Sequence, residues 1–240
     1  FKQKTAYEIM PSLVGSEMCI RDRVESAKKT GTFVMVDQTP IKSRPMDKMM
    51  LNHLNPGDIV THCYGYSKPM IDRNNKVHKY FYEARKKGIL FDVGHGAGSF
   101  SFKIANAALK EEFLPDTIST DMHVNSIINN QASMPEVMSR LLACGMKLDD
   151  IIKKSTLDPA IKIGHPELGT LSESAIADIA ILSINNGNFG LTDNGSGIRK
   201  YLTNKRINCE MTIKDGEILW DLNGRSRDHW EWTPPPYQTD

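Results

Sequence analysis

The 240-residue chain contains no CxxC or CxxH spacing, no His-x-His pair and no run of 18 uninterrupted apolar residues, and it opens on Phe1 rather than an initiator methionine. Each absence excludes something. Without paired cysteine spacings there is no zinc ribbon, and Cys19, Cys63, Cys144 and Cys209 lie too far apart in sequence to suggest a disulfide framework. Scattered single thiols suit a reducing compartment, so a cytoplasmic location is expected. Without a long apolar run no membrane span is expected. Charge of one sign is also lacking: 30 basic residues face 29 acidic ones, a net of +1, which argues against a nucleic-acid partner. The missing methionine suggests a fragment, so the lack of a signal peptide carries little weight.

The first 23 residues, FKQKTAYEIMPSLVGSEMCIRDR, show neither helical nor strand periodicity and are broken by Pro11 and Gly15. They resemble the peptide obtained when sequencing-adapter read-through is translated. On that reading residues 1–23 are an artefactual leader and the biological sequence starts near Val24.

From there strands and helices alternate. TFVMVD (32–37), DIVTHCY (58–64), ILFDVGHG (89–96) and TISTDMH (117–123) read as strands. HKYFYEARKKG (78–88) and FSFKIANAALKEEF (100–113), the latter with Ser99 as N-cap, read as helices, followed by MPEVMSRLLACGM and LDDIIKKSTLDPAIKIG. After Gly164, ADIAILSI and RINCEMTIKDGEILWDL alternate as strands around the hairpin pair Asp215-Gly216. The tail 225–240, with three consecutive prolines, reads as surface. Alternating β and α elements make a parallel sheet with right-handed crossovers, so an α/β fold is expected: half a (β/α)8 barrel or a small open sheet.

The carboxyl ends of the four strands carry Asp37, then His62, then Asp92 and His95, then Asp121 and His123. In parallel β/α folds that edge holds the active site. His and Asp together are borderline ligands for zinc or a similar ion, which lowers the pKa of bound water and polarises a carbonyl. A neighbouring carboxylate can carry the proton. The glycines around His95 would let backbone and substrate approach. Blander roles stay open: His62 as a core histidine, Asp37 as a turn residue before Pro40, Asp121 as a cap. The remaining histidines, His53, His78, His165 and His229, are expected to be solvated.

DIVTHCYGY, FDVGHGAGSFSF, LPDTISTDMH, STLDPAIKIG, ADIAIL and CEMTIKDGEILWDLNG, in this order over about residues 24–224, resemble the amidohydrolase superfamily, in particular its dihydroorotase-like deacetylases. The resemblance implies the C-terminal half of a (β/α)8 TIM barrel (24–164, strands five to eight) followed by a small β-sandwich portion (165–224). It implies a divalent metal, zinc, binuclear in the full-length parent. His62 and Asp121 match metal ligands, and Asp121 also matches the catalytic proton shuttle. Asp37 stands where much of the superfamily has a histidine ligand. His95, Gly96 and His123 fall where substrate contact is expected.

Two departures stand out. Asp158 replaces a frequent asparagine, and the first-strand His-x-His pair and the fourth-strand lysine are not in this chain. The expected function is acyl amide or ester hydrolysis on a small-molecule substrate by the parent, with cyclic-amide hydrolysis as runner-up and a homo-oligomer left open. Rival classes are a non-catalytic binding or assembly module and a dinucleotide-binding domain built on GHGAGS. Half a barrel would expose two strand edges, so poor solubility and no tight binuclear site are expected of this chain alone.

Overall fold

A computed structural model of the chain describes residues 17–37, 45–66, 69–130, 132–193 and 199–232. Its first layer is a parallel sheet in the order β1 (Met35–Asp37), β2 (Ile59–Thr61), β3 (Leu90–Phe91). Asp37 lies level with Thr61, and Val60 with Phe91. These β-branched and aromatic residues are enclosed, with Val60, Phe91 and Val93 fully buried. Each such side chain contributes roughly 1.5–3 kcal/mol on leaving water. Beneath the sheet the rings of Phe81, Phe91 and Phe113 pack at 5.2–6.1 Å, and the Arg85 guanidinium lies 3.8 Å above Phe113.

The expected fourth strand, 117–123, is present only as pairing without a regular strand. Asp92 bridges Thr117 in parallel, and the amides of Val93, His95 and Gly96 donate to the carbonyls of Thr117, Ser119 and Thr120. The chain then turns into a helix at 124–130 that the alternation did not suggest, since its apolar residues Val124, Ile127 and Ile128 are exposed.

Helices cover the sheet. α1 (Glu17–Thr30) runs through a stretch expected to be irregular. Its turns bury Val24 and Ala27, one helical step apart, and that pair was too sparse to register as a pattern. Residues 1–16 of the expected leader lie outside the described residues. A short helix, α2 (Met46–Lys48), continues into a wide turn at Met49–His53. α3 (Lys79–Lys87) and α4 (Phe102–Lys110) fall where expected, but the N-cap of α4 is Ser101, not Ser99. After α5 (Val124–Asn130) and α6 (Met134–Ala143), the last expected helix splits into α7 (Leu148–Ser155) and α8 (Leu157–Lys162). Pro159 explains the break: it has no N–H and its ring would clash with the carbonyl four residues earlier.

The second sheet is antiparallel: β4 (Ile179–Asp193), β5 (Arg199–Lys214) and β6 (Glu217–Asp221). The β5–β6 hairpin turns on Asp215 (φ 51°) and Gly216 (φ 83°), the two left-handed residues of a primed turn. α6 docks on β5 through Ser139, which accepts from the Ile207 amide at 2.9 Å. Glu136, 6% exposed, accepts from Arg140 at 3.2 Å and from Arg206 of β5 at 3.0 Å. Among the described residues no helix is long and apolar enough to cross a membrane.

Candidate active site at the strand ends

Parallel register places the carboxyl ends of β1, β2, β3 and the 117–120 segment at one edge. There the chain leaves regular geometry. His62, the residue after β2, has φ 62°, and Asp121 has φ 46°. A side chain in this left-handed region costs roughly 1–2 kcal/mol, so surrounding contacts must hold both residues there.

Gly94 (φ 47°) and Gly96 (φ 52°) form the turn between them. A Cβ on Gly94 would overlap Thr61 Oγ1 and lie 2.7 Å from His62 Nδ1, and one on Gly96 would lie 2.5 Å from Asp121 Oδ2. The glycines are therefore demanded twice, by backbone sign and by the close approach of His62 on one side and Asp121 on the other. Gly98 meets neither condition.

The His62 ring is oriented from behind. Its Nδ1 lies 2.6 Å from the Gly94 carbonyl, which can only accept, so Nδ1 carries the proton. In the neutral ring Nε2 is then the lone-pair nitrogen, and it faces Asp37 Oδ1 at 3.8 Å. That is too long for a hydrogen bond, yet it suits two ligands of one ion, each at about 2.0–2.2 Å. A backbone carbonyl holding the far ring nitrogen is the usual support of a ligating histidine. The donor chemistry thus fits a borderline divalent ion. However, among the described residues no three His, Cys, Asp or Glu side chains gather closely enough to hold one.

The other expected site residues divide. His123 is exposed at the start of α5, and its Nδ1 donates to the Asp121 carbonyl at 2.8 Å. Its amide donates to Ser126 Oγ at 2.8 Å, which fastens the segment after Asp121 to the helix. His95 turns the opposite way. It is 3% exposed, its ring lies 5.5 Å from that of Phe100, and its Nδ1 has no hydrogen-bond partner. Burial first, and then the Arg140 charge, push its pKa down to about 3, so the imidazole is neutral. Asp158 pairs with Lys153 and Lys154 at 3.6 and 3.8 Å, beside Thr117 and Leu90 at the amino ends of the strands and away from this edge.

Asp92, expected beside His95 at the end of the third strand, is a carboxylate inside an apolar strand and needs partners. The structure supplies three: the hydroxyls of Thr61, Thr117 and Ser119 each donate to it at 2.7 Å. A signal for them existed. A carboxylate inside an apolar strand must find donors, and neighbouring strands that carry Thr and Ser just before their terminal His and Asp are where to look.

The turn is also unlike a dinucleotide cradle, since α4 begins only at Phe102, six residues beyond Gly96. A cavity of about 480 Å³ lined by Met134, Met138, Ile152, Leu171 and Leu182 lies between the helices and the antiparallel sheet, apart from the strand ends.

The chain is 34% identical over 152 residues to a deacetylase of Brucella anthropi, covering 63% of this chain and 38% of that protein. It is 32% identical over 168 residues to a deacetylase of Enterococcus faecalis, covering 69% and 45%. The chain therefore spans less than half the length of these curated relatives. Among solved structures it resembles a dihydroorotase (TM-score 0.72, 27% identity, 83% of this chain and 54% of that one). It shares its fold with an adenine deaminase (TM-score 0.69, 24% identity, 86% and 64%). The model of the amidohydrolase family matches residues 22–219, and the chain belongs to that family.

Proposed function

We propose that this chain is the C-terminal part of a metal-dependent hydrolase that releases an acyl group from an amide, or from an ester, of a small molecule. The observation that carries the reading is the convergence of His62 and Asp121, both in strained backbone, on the Gly94–Gly96 turn. Residues 24–164 would be strands five to eight of a (β/α)8 barrel and residues 165–224 part of a β-sandwich. The three parallel strands, the 117–120 segment and the separate antiparallel sheet support that division.

His62 and Asp37, 3.8 Å apart, would hold a divalent ion, zinc by the chemistry of the donor set, with Asp121 as proton carrier rather than a gathered third ligand, and the ion would supply water acidic enough to ionise near neutral pH. The rest is the work of the chain. Asp121 takes the proton of the attacking water and returns it to the leaving nitrogen. The Gly94–Gly96 backbone leaves room for Thr61, His62 and Asp121 to close on the turn. His123 braces the Asp121 carbonyl and lies exposed on the substrate side. His95 serves the substrate through its neighbour Gly96, anchoring the turn from the buried side. The remaining ligands would come from chain that precedes Val24 in the parent gene, and sequencing across that junction tests this directly.

Asp121→Asn in the full-length product is the decisive variant for the mechanism. Asparagine tolerates the left-handed backbone, so the fold should survive while turnover falls by about 10²-fold or more. Near-normal turnover would sink the proposal. Cyclic-amide hydrolysis is the second reading, favoured by the likeness to a dihydroorotase. A panel of N-acetylated amines against cyclic ureides separates the two.

A further inference from the structure

Asp92 stands out because it is a carboxylate that the proposed chemistry does not use. It is 1% exposed and lies one residue beyond β3. Its Oδ2 accepts from Thr61 and from Ser119, and its Oδ1 from Thr117, all at 2.7 Å. The three donors belong to the two neighbours of β3 in the sheet. Its own backbone adds to the tie: the amide donates to the Val60 carbonyl and the carbonyl accepts from the Cys63 amide, bracketing Thr61 and His62.

Thr61 directly precedes His62, and Ser119 stands two residues before Asp121. The two left-handed residues therefore each follow a hydroxyl held by the same carboxylate. Thr61 Oγ1 also fills the space that a side chain on Gly94 would occupy, against the turn whose carbonyl orients the His62 ring.

We propose that Asp92 is a positioning residue: its three-hydroxyl clamp locks the ends of β2 and the 117–120 segment so that His62 and Asp121 keep their strained backbone and their places against the Gly94–Gly96 turn. This deepens the function proposed above and rests on it for the use made of those two residues. Asp92 touches no reacting atom and acts only through Thr61, Thr117 and Ser119. An amide at this position can accept on one side alone, whereas the carboxylate accepts on both.

The test compares Asp92→Asn, Thr61→Val and Thr61→Ser with the unaltered chain. The first readout is the His62 tautomer, from ¹⁵N shifts of the ring at alkaline pH, which needs neither metal nor turnover. The unaltered chain and Thr61→Ser should show the proton on Nδ1, while Asp92→Asn and Thr61→Val should shift it toward Nε2. Should Asp92→Asn fail to fold, the isosteric Thr61→Val decides. An unchanged tautomer in the folded variants overturns the clamp. The second readout is zinc affinity, expected to weaken about tenfold in Asp92→Asn, in line with other residues that orient ligands. Equal affinity in the two proteins overturns the link to the ligands. If the unaltered chain binds no zinc, the metal reading falls, and the tautomer comparison still decides the clamp.

Discussion

His62 points its Nδ1 at the carbonyl of Gly94, 2.6 Å away across the gap between β2 and β3. This bond joins two parts of the site that are 32 residues apart in sequence, and it works only because Gly94 has no side chain. Gly94→Ala would force a Cβ into Thr61 Oγ1 and His62 Nδ1 while leaving φ at 47°. The left-handed backbone and the overlap together predict a loss of about 3 kcal/mol. Urea unfolding of the two proteins measures it. A loss below about 1 kcal/mol would mean that the turn relaxes freely and does not hold His62.

How much of this was legible beforehand varied with the physics involved. The parallel strands, the Asp215-Gly216 hairpin and the family resemblance could be read, because each depends on local pattern. His62 and Asp121 were legible as types at strand ends, but their left-handed backbone was not, since neither is glycine. The orientation of His95 was also hidden. A strand-end histidine can face either layer, and only the packing against Phe100 decides. The clamp on Asp92 was half legible: the demand for donors was local, but the three hydroxyls come from segments 25 to 31 residues away.

Buried His95 makes stability depend on acid in a defined window. In the unfolded chain a histidine titrates near 6.5, whereas in the fold its pKa is pushed down to about 3. Between those values the unfolded chain binds a proton that the native chain refuses. Its contribution is therefore fully present above about pH 6.5 and is lost as pH falls toward 3. The loss amounts to roughly 2 kcal/mol by pH 5, at about 1.4 kcal/mol per unit. Carboxylates held low by hydrogen bonds, such as Asp221 at about 2, act only at lower pH. Denaturation midpoints at pH 7 and pH 5 should differ for the natural chain and converge for His95→Phe. An equal acid loss in that variant would place the sensitivity elsewhere.

Beside the Ser139 contact, one carboxylate ties α6 to the antiparallel sheet. Ser133 caps α6 by accepting from the Glu136 amide. The Glu136 side chain is then spent on Arg140, 1% exposed, and on Arg206 of β5. Removing the carboxylate takes the anionic acceptor from the buried Arg140 guanidinium, so Glu136→Leu should destabilise the chain by about 3–5 kcal/mol. Arg206 lies at the edge of the set, with about a third of its side chain exposed, and Arg206→Met should cost under about 1 kcal/mol. Thermal unfolding of both variants checks the ranking, and a reversed order would mean that the Glu136 carboxylate does not hold α6 to β5.

Open edges set the solution behaviour. Among the described residues β1 pairs with β2 on one side only, and Met35 in it is 51% exposed. Leu219 and Trp220 of β6, an edge strand of the other sheet, are 66% and 52% exposed. Edges of this kind template pairing with further chains unless a charge interrupts them. The chain should therefore self-associate increasingly with concentration in light scattering. A lysine adds a charge that resists strand addition without entering the core. Met35→Lys should raise the soluble fraction if β1 is the pairing edge, and Leu219→Lys should do so if β6 is. Concentration-independent scattering from the natural chain would show that both edges are already covered in solution.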